Sequence, residues 1–326
     1  MINDMKRWIT IICTLLILCS AAQAEGEFMR NTKNIPEELE TIPESYKVPM
    51  EQSGTLELLT YETWESFTYD QHNHRLTKEA WIYVPYDYDP AQKYPVFYLS
   101  HGGWSNETTT LGTDSRPSEL KHAVDHAIAD GRMVPMILIC PTYNNTSPSD
   151  SGDYSLALQL TDNFHNELVN DLIPAVESKY HTYADFDVSL EGQKASRDYR
   201  GFGGFSMGSV NTWHTFQYCL DSFRYFMPMS GNMGDGGWAA QVVRDSEWTD
   251  KDFFIWTATG TADFAGSGFT AQIESMASRY SDVFHLANNE TEGNLSFRLR
   301  QGGSHDARAH YDYTFNALCW FWNAGE

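Results

Sequence analysis

Residues 199–208 read YRGFGGFSMG, and this stretch decides the fold. A glycine-rich apolar run ends at Phe205, Ser206 follows at once, and a helix-like segment begins with Met207. A strand, a tight turn and a helix around Gly-x-Ser-x-Gly predict a strained serine whose hydroxyl stands clear of the sheet. The pattern alone arises by chance in roughly one chain of this length in ten, so its context must support it. A purely structural glycine turn is the alternative.

The rest of the chain alternates between strand-like and helix-like runs. Strands are predicted at residues 80–84, 95–100, 136–140, 199–205, 224–229, 253–259 and 296–300. Helices are predicted at residues 155–179, 207–220, 270–280 and 308–321. This alternation is typical of a mostly parallel sheet covered by helices on both faces. We therefore predict one α/β domain with the α/β-hydrolase fold and roughly eight strands.

A serine hydroxyl is a weak nucleophile until a base takes its proton, so an acid and then a histidine should follow Ser206. Asp263 lies in a tight loop after a predicted strand, and His305 lies in the last strand-to-helix loop. These positions make Asp263 the predicted acid and His305 the predicted base. His285 and His310 fall in or beside predicted helices, which disfavours them. The other acids that could serve are Asp235, Asp250 and Asp306.

An acyl-transfer site also needs N–H donors for a developing oxyanion. The residue after the nucleophile usually supplies one, and that residue is Met207. The second should come from the loop that follows residues 95–100, where the sequence is HGGW. Gly103 or Trp104 would supply it, and a plain glycine turn is the alternative.

Three tryptophans near these motifs could bind a ring of the substrate: Trp104, Trp213 and Trp238. Core packing is the ordinary role of a tryptophan and is the alternative for each. Trp238 follows a glycine-rich loop and is the least core-like of the three, so Trp104 and Trp238 are the predicted substrate-binding residues.

Composition narrows the class of partner. Lys and Arg number 22 against 44 Asp and Glu, for a net charge of -22, which disfavours nucleic acid and anionic lipid as partners. A neutral or weakly charged substrate is expected. Cys140, Cys219 and Cys319 sit in apolar stretches and are predicted to be buried free thiols, and no Cys or His spacing resembles a zinc site.

The first 24 residues resemble an export signal. Lys6 and Arg7 precede an apolar run, and Ala22-Gln23-Ala24 forms a small-residue cleavage site. Cleavage after Ala24 would give a secreted protein, extracellular or periplasmic. A membrane anchor is the alternative, although the run is shorter than the roughly 20 residues of a span, and a lipidated Cys19 is another. Residues 25–55 are predicted to be a polar surface lead-in, and residues 56–326 the catalytic domain.

Taken together, these motifs resemble the feruloyl esterases of carbohydrate esterase family 1, in particular those attached to clostridial xylanases. The likeness runs from about Ile42 to the C-terminus. The segments that carry it are YVPYDYDP at 83–90, HGG at 101–103, VESKY at 176–180, RGFGGFSMG at 200–208, ATG at 258–260 and GGSH at 302–305.

The resemblance implies hydrolysis, without a cofactor, of the ester between a hydroxycinnamate such as ferulate and the arabinose side chains of xylan. Feruloylated arabinoxylan or its oligosaccharides would be the partner. Ser206 matches the family nucleophile and His305 the family base, whereas some relatives carry the acid where this chain has Ala262. An acetyl xylan esterase or other short-acyl esterase, a related acyltransferase, and a wall-binding protein without catalysis remain alternatives.

Overall fold

An eight-stranded sheet forms the centre of the protein. The computed structural model describes residues 28–323, and the predicted signal at residues 1–24 lies outside them. The chain divides into a short unit that ends at Arg30 and a long unit from Asn31, which holds every element below. The sheet strands are β1 (Thr55–Trp64), β2 (Arg75–Val84), β3 (Val96–Ser100), β6 (Ile137–Cys140), β7 (Arg200–Phe205), β8 (Tyr225–Met229), β9 (Phe254–Gly260) and β10 (Leu295–Arg300), while β4 (Gly112–Thr113) and β5 (Arg116–Pro117) pair separately.

The strand order is β1-β2-β6-β3-β7-β8-β9-β10. Strand β2 runs antiparallel to both of its neighbours, and all other pairs are parallel. The predicted mostly parallel sheet is therefore confirmed. Ser100 pairs with Gly204 and Phe205 with Met229, so the strands β3, β7 and β8 end at one edge. The loops that follow them meet there, where open α/β sheets place their ligands.

Eight α-helices are formed within residues 28–323. They are α1 (Glu119–Ala129), α2 (Tyr154–Glu167), α3 (Ile173–Glu177), α4 (Leu190–Ala195), α5 (Met207–Tyr218), α6 (Gly237–Asp245), α7 (Gly266–Arg279) and α8 (Ala307–Leu318). The sequence patterns do not predict β1, α1, α4 or α6. Strand β1 lies at the edge of the sheet, and its exposed residues are Thr55, Leu58, Thr60 and Glu62, so its apolar alternation is weak. Helix α7 begins four residues before its predicted start at residue 270.

The predicted long helix over residues 155–179 is formed by α2, a π-helical turn at Leu168–Leu172 and α3. Pro174 lies in the first turn of α3. A proline has no N–H to donate, and its ring crowds the carbonyl one turn earlier. The wider turn just before Pro174 accommodates both effects.

The polar lead-in is anchored to the last elements of the chain. Ile35 and Ile42 are buried, although the sequence predicts a segment that only covers the surface. The N–H of Ile42 donates to Asp312 at 2.9 Å, and the guanidinium of Arg298 donates to the carbonyl of Ile35 at 2.7 Å. These contacts hold the lead-in against β10 and α8.

The three cysteines in the described residues are unpaired, as predicted. Cys140 and Cys219 are buried, whereas Cys319 is only half-buried. Burial raises the pKa of the Cys140 and Cys319 thiols to about 12, so both stay protonated and unreactive at neutral pH.

Candidate active site

Ser206 occupies the turn between β7 and α5 in the strained conformation that the sequence predicts. Its φ of 62° and ψ of -120° lie where few non-glycine residues are found. The turn leaves no room beside it, because a Cβ on Gly204 would lie 2.8 Å from Gly208 Cα. The N–H of Ser206 donates to the carbonyl of Met229 at 2.9 Å, which ties the turn to β8.

Asp263 and His305 form a hydrogen-bonded pair. Nδ1 of His305 donates to both carboxylate oxygens of Asp263, at 2.8 and 2.9 Å, which leaves Nε2 free to accept a proton. Close contact between Gly260 and Gly303 brings the two loops together. Burial raises the pKa of Asp263, but hydrogen bonds from His305 and the N–H of Ala265 outweigh it and hold the pKa below its usual 3.8. Asp263 is therefore a charged acceptor at neutral pH.

The imidazole of His305 lies between two phenylalanine rings. The Phe205 ring centroid is 4.5 Å from that of His305, and the Phe264 centroid is 4.2 Å away. Phe205 directly precedes Ser206, so the imidazole lies beside the nucleophile turn. Among residues 28–323, the hydroxyl of Ser206 has no hydrogen-bond partner. In enzymes without bound substrate, the hydrogen bond between a nucleophile and its base is often long or poorly aligned, and it tightens when substrate binds. The sequence motifs do not point to Phe264, whose only signal is that a large apolar residue directly follows the predicted acid.

The other histidines and acids considered above have different environments. His310 lies beside Phe205, and burial lowers its pKa to about 4, so it stays neutral. Asp306 accepts the N–H of Ala309 as the N-cap of α8. The carboxylate of Asp250 lies 3.3 Å from Nε2 of half-buried His285, and Asp235 accepts the N–H of Gly237. In the part of the chain that the structure describes, no group of three His, Cys, Asp or Glu side chains could hold a metal ion.

The loop after β3 corrects one of the predicted oxyanion donors. The N–H of Trp104 donates to the carbonyl of Ser151 at 2.9 Å and is not free for a substrate. Gly103 is therefore the remaining candidate in this loop. Met207 stands at the first position of α5, where a backbone N–H has no partner within the helix. The N–H of Met207, the predicted donor next to the nucleophile, is thus geometrically available.

Two side chains fix the peptide between Gly102 and Gly103. The carbonyl of Gly102 accepts hydrogen bonds from Nδ1 of His101 at 2.7 Å and from the Tyr143 hydroxyl at 2.8 Å. The N–H of a trans peptide points opposite to its carbonyl, so these bonds direct the Gly103 N–H away from Tyr143. A Cβ on Gly102 would lie 3.6 Å from Ser206 Cβ, which places this peptide at the nucleophile.

His101 acts in this network as a neutral group. Burial lowers its pKa to about 3, and its Nε2 accepts from the Thr142 hydroxyl at 2.8 Å. Its ring also stacks on Tyr143 with centroids 4.2 Å apart. No local sequence pattern points to Tyr143, because its partner Gly102 lies 41 residues earlier in the chain.

The three candidate tryptophans have different surroundings. Trp104 is 76% exposed on the loop after β3, and its indole lies next to Gly152. Trp213 is fully buried, and its Nε1 donates to the carbonyl of Gly231. Trp238 packs edge-on against Trp213 and Phe216, so its contacts are those of a core residue although the sequence predicts a binding residue. Trp104 is thus the exposed one of the three, and it lies on the same loop as Gly103.

The sequence of this chain matches the model of a known protein family. The family model named Esterase, described as "Putative esterase", matches residues 77–264, more than half of the chain. The chain belongs to this esterase family. It is 34% identical over 288 residues to Endo-1,4-beta-xylanase Y of Acetivibrio thermocellus, covering 86% of this chain but 24% of that protein. It is also 30% identical over 171 residues to an Endo-1,4-beta-xylanase/feruloyl esterase of Xylanibacter ruminicola, covering 50% of this chain and 20% of that protein. The esterase chain thus spans about a quarter or less of these curated relatives.

A solved structure extends the likeness over the whole fold. It is a serine-to-alanine mutant of the feruloyl esterase module from Clostridium thermocellum complexed with sinapinate. It is 32% identical to the esterase chain with a TM-score of 0.74, and the match covers 92% of this chain and 98% of that module. The resemblance to feruloyl esterases inferred from the sequence is confirmed.

Proposed function

We propose that the protein is a serine esterase that hydrolyses hydroxycinnamoyl esters, such as feruloyl esters, on plant cell-wall xylan. The observation that carries this proposal is the Asp263–His305 pair beside the strained Ser206 turn. The names of the relatives support the substrate: two are xylanases, and one solved relative is a feruloyl esterase module complexed with sinapinate. The net charge of -22 fits a neutral polysaccharide better than an anionic one.

In the first half of the proposed reaction, Ser206 Oγ attacks the ester carbonyl while Nε2 of His305 takes its proton. The carbonyl oxygen becomes an oxyanion that accepts hydrogen bonds from the N–H groups of Met207 and Gly103. The C–O bond to the sugar then breaks, and His305 returns the proton to the departing sugar oxygen. The product of this half is an acyl ester on Ser206.

In the second half, a water molecule takes the place of the sugar. His305 removes a proton from this water, which attacks the acyl carbonyl and forms a second oxyanion at the same donors. Collapse of this intermediate breaks the bond to Ser206 Oγ, which regains a proton from His305. The hydroxycinnamic acid leaves, and Asp263 keeps the imidazole in the required tautomer throughout. No step uses a cofactor.

We further propose that residues 1–24 direct export and that cleavage follows Ala24. The charged start, short apolar run and small-residue site support this. Mass spectrometry of protein recovered from culture medium or periplasm would identify the new N-terminus.

The substrate is tested with the purified chain on methyl ferulate, feruloylated arabinoxylan and acetylated xylan. We expect ferulate release with a turnover of about 1–10³ per second, the range usual for enzymes. Activity on acetyl esters with none on either feruloyl substrate would overturn the proposed acyl group. Product analysis with an added sugar acceptor would reveal an acyltransferase.

Tyr143→Phe tests the oxyanion peptide. The change deletes one of two hydrogen bonds to the Gly102 carbonyl, so the Gly103 N–H is held less firmly. We expect kcat on methyl ferulate to fall about tenfold with KM within about twofold, because the oxyanion exists only after attack. Affinity for an arylboronic acid, which forms a tetrahedral adduct, should fall in parallel. Tyr83→Phe, which deletes a buried hydroxyl contact to Asp125, is the control and should leave both values unchanged.

A further inference from the structure

Phe264 combines high exposure with contact to the predicted catalytic base. Its side chain is 81% exposed, the highest value among large apolar side chains in the described residues. Its ring nevertheless lies 4.2 Å from the His305 imidazole, centroid to centroid. A single exposed apolar residue is ordinary on a protein surface, so the position, and not the exposure alone, carries the inference.

The turn that holds Phe264 is well ordered by hydrogen bonds. The side-chain carboxylate of Asp263 accepts a hydrogen bond from the N–H of Ala265 at 2.7 Å, and the backbone carbonyl of Asp263 accepts one from the N–H of Gly266 at 3.0 Å. Phe264 is the residue at the tip of this turn. The group that orients His305 therefore also fixes where the aromatic ring stands.

Two neighbouring loops form the surface around the Phe264 ring. Four exposed residues of the two adjoining loops are small, namely Thr261, Ala262, Gly302 and Ser304, whereas exposed Gln301 and Asp306 are larger. The loops that carry them are joined by a hydrogen bond from the Ala262 N–H to the Gly303 carbonyl. The ring itself is 81% exposed, so these loops leave it uncovered and an extended chain could lie across it.

The chemistry of ester cleavage determines which part of a substrate lies next to His305. His305 has to protonate the departing alcohol oxygen, so that oxygen lies within hydrogen-bond reach of Nε2. In a sugar ester, the sugar ring is attached to this oxygen directly or through one carbon. An aromatic ring in contact with His305 therefore contacts the alcohol part of the ester before the acyl part.

We infer that Phe264 is a binding platform for the sugar of the departing alcohol, on which the C–H face of an arabinose or xylose residue packs. The inference rests on the proposed esterase function and extends it, because it assigns the alcohol side of the substrate to a named residue. The site would therefore favour a neutral polyhydroxy alcohol over a simple one.

The test compares two substrates that differ only in the alcohol: methyl ferulate and a feruloylated arabinoxylo-oligosaccharide. We expect Phe264→Ala to lower kcat/KM about tenfold more on the oligosaccharide than on methyl ferulate. Phe264→Trp should restore the oligosaccharide rate. Phe186→Ala is the matched control, because Phe186 is also exposed and stacks on a histidine, His181, and it should change neither rate.

Equal losses on both substrates would overturn the inference, because Phe264 would then act by positioning His305. No loss on either substrate would also overturn it. A binding measurement tests the sugar platform without any acyl group. The unacylated oligosaccharide should bind the Ser206→Ala protein, and its Kd should rise about tenfold when Phe264 is also replaced by alanine. If that difference is found while no feruloyl ester is hydrolysed, the proposed acyl group is wrong and the sugar platform stands. Equal oligosaccharide binding with and without the ring would overturn the platform.

Discussion

Replacement of Ser206 by alanine should lower kcat on methyl ferulate on the order of 10⁴-fold or more, the scale seen when a serine hydrolase loses its nucleophile. The fold should not suffer. The Ser206 hydroxyl has no hydrogen-bond partner within residues 28–323, and alanine has the same Cβ at the strained φ of 62°. The free energy of unfolding should therefore change by less than about 0.5 kcal/mol. Steady-state kinetics and thermal unfolding measure the two effects separately.

Ser304→Ala is the control for this experiment. Ser304 lies next to His305 and is exposed, so loss of its hydroxyl should change kcat by less than about twofold. A Ser206→Ala protein that retained full activity would refute the whole mechanism. A protein that lost activity together with its fold would show that the hydroxyl has a structural role.

Asp263→Asn should lower kcat by about 10³- to 10⁴-fold, the scale known for the corresponding acid of serine proteases. An asparagine NH₂ group cannot accept the proton on Nδ1 of His305. The imidazole would then favour the tautomer with its proton on Nε2, which cannot act as the base. The remaining contact to the Ala265 N–H can be kept by the amide oxygen, so the turn should persist.

Asp306→Asn is the matched control, because Asp306 was an alternative acid and asparagine caps helices equally well. It should leave kcat within about twofold. If Asp306→Asn abolished activity and Asp263→Asn did not, the acid would be wrongly assigned.

The lowered pKa of Asp263 also predicts how stability depends on pH. Its pKa in the folded state lies below the usual 3.8, so the charged form stabilises the fold above that pH. This contribution is lost as the pH falls through the lowered pKa. The difference in thermal midpoint between wild type and Asp263→Asn should therefore shrink in acid.

The parts of the site that follow from local patterns were predictable from the sequence. The turn at Ser206 follows from glycines within two residues of it, and the positions of Asp263 and His305 follow from strand ends and chain order. Their hydrogen bond is present, and their catalytic roles remain predictions. Helix α6 was missed because it follows a glycine-rich loop that reads as continued loop.

The parts that depend on distant contacts were not predictable. The N–H of Trp104 is taken by the carbonyl of Ser151, which lies 47 positions later in the sequence. Tyr143 reaches the same loop from the end of a different strand. Trp238 looks exposed in its sequence context, yet the fold supplies Trp213 and Phe216 for it to pack on. Such partners are set by strand order, which no short stretch of sequence encodes.

The anchored lead-in has a consequence for the order of folding. The side chain of Asn31 donates to the carbonyl of Trp320, a contact that spans 289 positions. Closing so long a loop is slow, because the chain loses conformational entropy before the contact can stabilise the fold. During synthesis, the contact of Asn31 cannot form until Trp320 has left the ribosome. Since α8 follows His305 directly, a nascent chain should have its nucleophile turn long before it has a working base.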